Sequence, residues 1–475
     1  MKLNRSISLL VSWGSIGFCL SATASTEPLL LTQSPRSPAG KPGQSLLERL
    51  YPAGSRIAVI SLTAPQAVKV LSEGLYAAGD PVLSYDGQAA IFVGRLGPES
   101  DWQIYLARVD RGHCRAITSM PGGAADPALL PDGSLVFASP LTKDSGGASP
   151  QLYAQSTGGK PRQLTFSPAG GFDPSVLQDG RILFVSASLH DGFSKAAGRS
   201  LFTINNDGTE LTAFACQHDP PATITSPRQV TGGRIAFLAG PIDGAPVATS
   251  VEYVRTARPF LSRAKLFTNV LAAVRSVQPD AGSNLLVCAK SSLGNWAVYR
   301  VSGQGEIPGA PIFEDPGWDC VEALTLCARP RPMGRLTNMD PGKSTGRMLC
   351  LNINNTTIRE GTEPVVATAT RVRVLAQSAS GSCRPLGEIP VQADGSFMAE
   401  VSADVPLGFE ALDENGSVVR RMAPMIWVRA GENRSCVGCH APHNRVPHNY
   451  RPEAVRSAVP LISLGPEEKL ARKTP

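Results

Sequence analysis

Long apolar runs are scarce in this 475-residue sequence, and only the N-terminus contains one. No later segment approaches the roughly 20 consecutive apolar residues that a membrane-spanning helix requires. Charged residues make up 18% of the chain, and a formal net charge of +6 is too small an excess to indicate nucleic-acid binding. We therefore expect neither a transmembrane segment nor a nucleic-acid partner.

The N-terminal apolar run has the features of a secretory signal peptide. Lys2 and Arg5 precede the run, which covers residues 7–20, and residues 22–24 (A-T-A) form a small-x-small cleavage site. Cys19 would suit a lipoprotein, but the bulky Phe18 before it does not suit lipoprotein processing. We predict a signal peptide at 1–24, cleaved near Ala24, and a periplasmic or secreted mature protein.

A repeat organises the middle of the chain, where glycine and proline are frequent. The pattern D-P-x-x-x-x-D-G, followed by a short apolar strand, occurs at 80–87, 126–133 and 173–180. Asp-Gly provides the positive φ angles of a tight hairpin, and offsets of 46 and 47 residues suit one propeller blade. Weaker copies follow at 226–237 and 279–299, and residues 56–60 are a candidate for the start of another.

These repeats predict an all-β fold. A single blade cannot bury both of its faces, so the units are expected to close into a ring. We predict a linker at 25–49 and a β-propeller of about six blades at 50–326. The repeats resemble the TolB-type (PD40-like) propeller repeat.

A second, smaller β-rich domain is predicted at 327–475. It begins with the extended, proline-rich segment 328–332, which cannot continue a strand ladder. Alternating apolar residues then predict several strands. They lie at 347–353, 371–375, 395–401, 407–412, 418–420 and 425–428.

The most specific motif follows the last of these strands. Cys436, Cys439 and His440 form C-x-x-C-H, the signature of covalent haem attachment. The two thiols can form thioethers to the vinyl groups of one haem, and the histidine can bind the iron as an axial ligand. Two alternatives remain, namely a disulfide between the two cysteines and a zinc site that includes the histidine. Haem attachment also suits an exported protein.

Several nearby side chains are candidates for a second iron ligand. A residue three positions after His440 is difficult to place on the opposite haem face, which argues against the first of them. Methionine would raise the reduction potential, whereas an open position would permit chemistry on small molecules. The candidates are His443, His448, Tyr450, Met422 and Met425.

The remaining cysteines and arginines allow two further predictions. Signal-peptide cleavage and haem attachment leave seven cysteines, an odd number, so at least one thiol is unpaired or binds something. Cys320–Cys327 and Cys350–Cys383 are plausible disulfides, although the sequence does not fix the connectivity. Arginines around the motif are candidates for pairing with haem propionates or steering an acidic redox partner, although the last three suit a solvated tail. They are Arg420, Arg421, Arg429, Arg434, Arg445, Arg451 and Arg456.

From about residue 320 onwards the sequence is similar to the middle domain of the hydrazine synthase alpha subunit family, a family of exported haem proteins. The likeness is carried by residues 329–332 (R-P-R-P), 339–346 (M-D-P-G-K-S-T-G), 394–397, 403–409, 412–416 and 431–440. The resemblance implies a propeller before a haem domain, thioethers at Cys436 and Cys439, and His440 as the motif histidine.

Two departures from that family affect what the resemblance implies. The chain ends 35 residues after His440, so the family's second haem-bearing domain is expected to be missing. Asn444 stands four residues after His440, where the family's catalytic haem site has an iron-binding tyrosine. The same resemblance implies a zinc ion at the motif histidine and a hetero-oligomeric assembly.

Three functions are consistent with the sequence. The first is an exported mono-haem c-type cytochrome that passes electrons to a partner protein, with the propeller as a scaffold. The second is a haem enzyme or enzyme subunit that acts on small nitrogen or oxygen species. The third is a propeller recognition protein in which the Cys/His motif binds zinc.

Overall fold

The computed structural model describes most of the chain as short antiparallel sheets. The only helical elements in the described part are α1 (Leu46–Leu50) and two 3-10 turns, Pro259–Leu261 and Glu453–Val455. The described residues are 27–36, 44–140, 149–190, 195–216, 222–241, 248–267, 273–280, 282–303, 308–356, 359–360, 363–364, 368–377, 382–422, 426–439 and 449–462. The predicted signal peptide lies outside them.

Five blades follow one another along the chain, each with its first strand innermost. The first contains β4 (Ala77–Leu83), β5 (Ala89–Arg95), β6 (Gln103–Arg108) and β7 (Cys114–Ala116), and the second β8 (Ala125–Leu129), β9 (Leu135–Ser139), β10 (Gln151–Gln155) and β11 (Arg162–Gln163). The third contains β12 (Phe172–Val176), β13 (Ile182–His190), β14 (Lys195–Ile204) and β15 (Thr212–Ala215). The fourth contains β16 (Thr223–Val230), β17 (Arg234–Gly240), β18 (Ser250–Arg255) and β19 (Ala264–Lys265), and the fifth β20 (Val274–Pro279), β21 (Asn284–Lys290) and β22 (Trp296–Ser302).

The sixth blade joins the two ends of the propeller. Its sheet has the order β23-β1-β2-β3, with β1 at Leu29–Pro35, β2 at Arg56–Ser61, β3 at Ala64–Val70 and β23 at Trp318–Thr325. β1 pairs with both β2 and β23, so this blade closes the ring with strands from both termini. The predicted six-bladed, all-β architecture is confirmed, but the linker prediction for 25–49 is wrong for β1. β1 contains Leu29, Leu30 and Leu31, which are fully buried, and burying these three leucines is more favourable than leaving them in a solvent-exposed linker.

The repeated Asp-Pro positions connect neighbouring blades. Asp80, Asp126 and Asp173 have φ angles of 51°, 54° and 49°, and each lies within a register shift of its innermost strand. Aspartate tolerates this left-handed conformation better than most residues. The N–H of Asp173 donates to Oδ2 of Asp126 (3.0 Å), and the N–H of Ser226 donates to Oδ2 of Asp173 (3.1 Å). The motif is therefore a bulge that ties one blade to the next, in addition to a hairpin signal.

The segment after Cys327 runs in an extended conformation across blades one, two and three. It contacts the hairpin turns of the repeat: the N–H of Arg329 donates to the Tyr85 carbonyl (2.9 Å), Arg331 to the Pro131 carbonyl (3.2 Å), and the N–H of Met333 to the Gln178 carbonyl (2.9 Å). Gly180 lies so close that an added Cβ would be 2.3 Å from the Met333 carbonyl oxygen. The chain therefore passes along the Asp-Gly turns of the first three blades before it enters the second domain.

The second domain contains two four-stranded sheets and one small hairpin. The first sheet, in the order β32-β24-β29-β33, contains β24 (Thr345–Cys350), β29 (Phe397–Ser402), β32 (Asn433–Cys436) and β33 (Leu461–Ile462). The second, in the order β28-β27-β30-β31, contains β27 (Arg371–Gln377), β28 (Cys383–Pro390), β30 (Leu407–Leu412) and β31 (Val418–Arg421). The hairpin pairs β25 (Arg359–Glu360) with β26 (Glu363–Pro364).

Two predictions for this region are wrong. The strand expected at 425–428 is absent, since within its described part only Ile426 pairs, in an isolated bridge to Leu407. Neither of the two suggested disulfides is present, since Cys320, Cys327, Cys350 and Cys383 are not bonded to another cysteine. Cys350 and Cys383 lie on different sheets, because the two strands belong to opposite layers of the domain.

Candidate functional site

The first cysteine of the haem motif ends an edge strand. β32 runs parallel to β24, and its register places Cys436 beside Cys350. The ladder continues one residue further, where the N–H of Leu351 donates to the Cys436 carbonyl (2.9 Å). Cys436 is half-buried at this edge. The backbone of the first motif cysteine is thus held by the sheet.

A loop rich in asparagine supports the middle of the motif. It follows β24 as residues 352–355 (N-I-N-N), and it lies directly against Gly438. A Cβ at Gly438 would be 2.4 Å from the carbonyl oxygen of Asn355 and 3.0 Å from that of Asn352. Only glycine allows the C-x-x-C turn to approach this backbone so closely.

The second cysteine lies against the domain core and beside a buried arginine. Cys439 packs on the cluster that contains Cys350 and Ile353. Burial raises the pKa of the Cys439 thiol, and the nearby guanidinium of Arg420, which hydrogen-bonds to it, opposes that rise. Arg420 also donates to Oδ1 of Asn354 (2.8 Å). Arg420 therefore connects the thiol of Cys439 to the asparagine loop.

Two of the predicted second ligands lie near the motif in the described structure. Met422 packs on the same core cluster as Cys439. The hydroxyl of Tyr450 donates to the carbonyl of Leu351 (3.1 Å), next to the paired Cys350 and Cys436. The other candidates, His443, His448 and Met425, lie outside the described residues, as does the motif histidine, His440.

The segment before the motif is buried against the propeller. Trp427, only 1% exposed, packs edge-to-face on Phe166, and Arg429, 2% exposed, lies with its guanidinium carbon 4.9 Å from the centre of the same ring. Arg429 also donates to the Gln163 carbonyl (3.0 Å) and pairs with Asp404 (3.3 Å). A buried charge is tolerated here because it is paired and hydrogen-bonded.

Glu432 and Arg434 extend this attachment. One carboxylate oxygen of Glu432 accepts the N–H of Glu210 in the propeller (2.9 Å), and the other accepts the N–H of Arg429 (2.7 Å). The guanidinium of Arg434 contacts the carbonyl of Leu211. The prediction that Arg429 pairs with a haem propionate is therefore wrong, because its side chain is enclosed between the domains.

The other described arginines of the sequence prediction are either paired with an acidic residue or exposed to solvent. Arg421 forms an ion pair with Glu410, with Nε to Oε1 at 2.8 Å. Arg451 and Arg456 are exposed, as expected for a solvated tail. Arg445 lies outside the described residues.

Sequence reasoning missed two parts of this site. It assigned Cys350 to a distant disulfide, although β24 and β32 bring it beside Cys436. It also gave no role to the N-I-N-N loop, whose first two residues were assigned to the strand predicted at 347–353, whereas β24 ends at Cys350. Parallel pairing between strands more than 80 residues apart leaves no local sequence pattern.

The described residues contain no group of three or more His, Cys, Asp or Glu side chains arranged to hold a metal ion. His440 is not among them, so the zinc alternative remains a prediction. The part of the chain that the structure describes also has no helix long and apolar enough to cross a membrane.

Comparisons with known proteins confirm the resemblance noted in the sequence. Residues 347–441 match the model of the hydrazine synthase alpha subunit middle domain. Hydrazine synthase subunit alpha from Kuenenia stuttgartiensis is 32% identical over 107 residues, which are 22% of this chain and 13% of that protein. The aligned part is thus a small fraction of the relative's length.

Solved structures extend the likeness to the fold of nearly the whole chain. Kuenenia stuttgartiensis hydrazine synthase superposes with a TM-score of 0.79 at 19% identity, over 91% of this chain and 72% of that one. TolB from Acinetobacter baumannii gives a TM-score of 0.42 at 14% identity, over 60% of this chain and 65% of that one. The propeller and the second domain are therefore arranged as in the first of these structures.

Proposed function

We propose that this protein is a haem-bearing, hydrazine synthase alpha-like subunit whose haem acts on a small nitrogen or oxygen species. One observation carries the proposal: the family match at 347–441 includes C-x-x-C-H, in a chain whose domain arrangement follows hydrazine synthase. The comparisons support this alternative better than the mono-haem electron-transfer cytochrome that the sequence first suggested, for which they offer no support.

The residues at the motif suit covalent haem c. Cys436 and Cys439 are two half-buried thiols on a short turn, and each would form one thioether. His440 would bind the iron, and a second iron ligand would come from Met422, Met425, His443, His448 or Tyr450. The haem would supply an iron centre for redox chemistry on a small ligand.

The chain's own residues would hold that haem in place. The β24–β32 ladder and the asparagine loop position the two thiols, and Arg420 places a positive charge beside Cys439. Trp427, Arg429 and Glu432 attach the preceding segment to the propeller. The propeller then acts as a rigid support that restricts how the motif can move.

The test begins with covalent attachment. The full chain is exported in a bacterial host that can attach haem c, and intact mass and the alkaline pyridine haemochrome spectrum are measured. We expect one haem per chain, lost in Cys436→Ser and Cys439→Ser and retained in Cys383→Ser, a matched control on the opposite sheet. A colourless wild-type protein that binds zinc would instead support the recognition-protein hypothesis.

Ligand binding then separates the two haem functions. An enzyme of this class requires an open iron position, so the dithionite-reduced protein should bind CO and NO with a shift of the Soret band. A cytochrome with two protein ligands would resist both gases. A spectrum unchanged by either gas would contradict the proposed enzyme and favour electron transfer to a partner.

Export and assembly belong to the same proposal. N-terminal sequencing of the mature protein should begin just after Ala24 if residues 1–24 are a signal peptide. By analogy with a protein named as a subunit, we propose a hetero-oligomer, with the partner unidentified. Gel filtration of the native protein from its own cells should give a mass well above that of one chain.

A further inference from the structure

A third thiol lies beside the haem-attachment pair. Cys350 is the last residue of β24 and Cys436 the last of β32, and the two are register partners in a parallel ladder. Register partners on neighbouring strands project to the same face of the sheet. Cys350 is 4% exposed, and it packs in the same core cluster that Cys439 lines.

The geometry of this pair suits a disulfide. Neighbouring strands lie about 4.8 Å apart, which falls within the Cα separations that disulfides span. Burial raises the pKa of the Cys350 thiol, and the neighbouring Cys436 contributes to the rise.

We propose that Cys350 forms a disulfide with Cys436 before haem attachment, and that this bond must be reduced before haem can be attached. The proposal rests on the proposed haem function, because the bond matters only if Cys436 is a thioether site. It also requires an oxidising compartment, which the predicted export provides.

Two common classes of exported redox protein could form and reduce this disulfide. The Cys350 and Cys436 thiols lose two protons and two electrons to an exported dithiol–disulfide oxidase, whose disulfide becomes a dithiol. A dithiol reductase reverses this step and restores both thiols. Thioether formation then adds the Cys436 S–H across a haem vinyl group, with no net oxidation, and Cys350 remains a thiol.

The first experiment detects the bond in the full-length protein. The chain is exported in a host without haem c attachment, trapped with N-ethylmaleimide under denaturing conditions, and digested with trypsin. We expect the peptide 348–359 (M-L-C-L-N-I-N-N-T-T-I-R) to be linked to 435–445 (S-C-V-G-C-H-A-P-H-N-R). Because the second peptide contains two cysteines, Cys439→Ser assigns the link to Cys436.

Two results of this experiment overturn the proposal. One is complete alkylation of Cys350 in the wild-type protein. The other is a bond only between Cys436 and Cys439, within one peptide. Neither reading depends on a variant of the buried Cys350 folding correctly.

The second experiment measures haem loading. In a host that attaches haem c but has limited reductant, Cys350→Ala should increase the fraction of haem-loaded chains severalfold, and dithiothreitol should bring the wild type to the same level. Cys383→Ala, a thiol on the other sheet, should change nothing. Equal haem loading of wild type and Cys350→Ala without reductant would refute the proposal that the Cys350–Cys436 disulfide blocks haem attachment.

The two proposals fail separately. A linked peptide in a chain that never takes up haem, even with reductant, would refute the proposed haem function and leave the disulfide standing. Efficient haem attachment in a chain whose Cys350 is always alkylated would refute only the disulfide.

Discussion

The indole N–H of Trp427 donates a hydrogen bond of 3.1 Å to the carbonyl of Gly208, so the segment before the haem motif is joined directly to the third blade of the propeller. Gly208 lies in the turn between β14 and β15, and the Trp427 ring is 1% exposed. A buried indole is stable here because its one donor is satisfied. This contact makes the approach to Cys436 depend on the propeller.

Replacing this tryptophan should therefore weaken both domains together. Trp427→Phe leaves the buried Gly208 carbonyl without its donor and removes part of the packing on Phe166. We expect a loss of about 2 kcal/mol in the free energy of unfolding, measured by urea denaturation, and faster proteolysis at residues 328–340. Trp318→Phe, at a half-buried site in β23, should cost less. Equal costs would show that the inter-domain bond is unimportant.

The close approach of Gly438 to the asparagine loop predicts a strong effect of one added methyl group. Gly438→Ala places a Cβ 2.4 Å from the Asn355 carbonyl oxygen, so the C-x-x-C turn must move away. We expect haem loading, measured by pyridine haemochrome per chain, to fall by roughly tenfold or more. A free-energy cost of about 1.4 kcal/mol for displacing the turn is enough for a tenfold change. Val437→Ala, at the exposed neighbouring position, should load normally. Normal loading of Gly438→Ala would contradict the described turn.

The side chain of Asn354 holds Arg420 in its position beside Cys439. Its Oδ1 accepts from Arg420 (2.8 Å) and from the N–H of Ala369 (2.9 Å), so Asn354→Ala removes both bonds at once. We expect the free energy of unfolding to fall by about 2 kcal/mol. We also expect haem attachment to become slower, which is measured from the growth of the Soret band over time. Asn355→Ala keeps the backbone carbonyl that contacts Gly438 and should attach haem at the wild-type rate.

The bulge aspartates predict a dependence of stability on pH. Burial, and then the nearby Asp173 carboxylate, raise the pKa of Asp126 to about 7, above its unfolded value of about 3.9. The folded protein therefore binds this proton more tightly than the unfolded chain. The stabilisation is complete below about pH 4 and is lost as the pH rises through 7.

Asp126→Asn removes this titration and retains an oxygen acceptor for the N–H of Asp173. The loss of unfolding free energy between pH 5 and pH 8, obtained from denaturation curves, should be smaller than in the wild type by about 3 kcal/mol. Asp110→Asn, at an exposed site paired with Arg108, serves as the control and should leave the pH dependence unchanged. Parallel pH profiles for Asp126→Asn and wild type would contradict this prediction, because they would mean that Asp126 is ionised in the folded protein throughout this pH range.

Local patterns in the sequence predicted much of the propeller. The Asp-Gly turns at Gly87, Gly133 and Gly180 have positive φ angles, as the hairpin interpretation requires, and the apolar strands after them are buried. The sequence indicated only part of the sixth blade, at residues 56–60, because its four strands come from both ends of the propeller and share no single motif. β1 was consequently assigned to a linker.

The haem motif shows the same division. Five consecutive residues, 436–440, determined the predicted cofactor, and a signal-like N-terminus determined the predicted compartment, since both are local chemical patterns. Only the tertiary structure decided that Cys350 lies beside Cys436, that Arg429 is enclosed against Phe166, and that Gly438 rests on the asparagine loop. These contacts join residues far apart in the chain, and packing rather than local spacing brings them together.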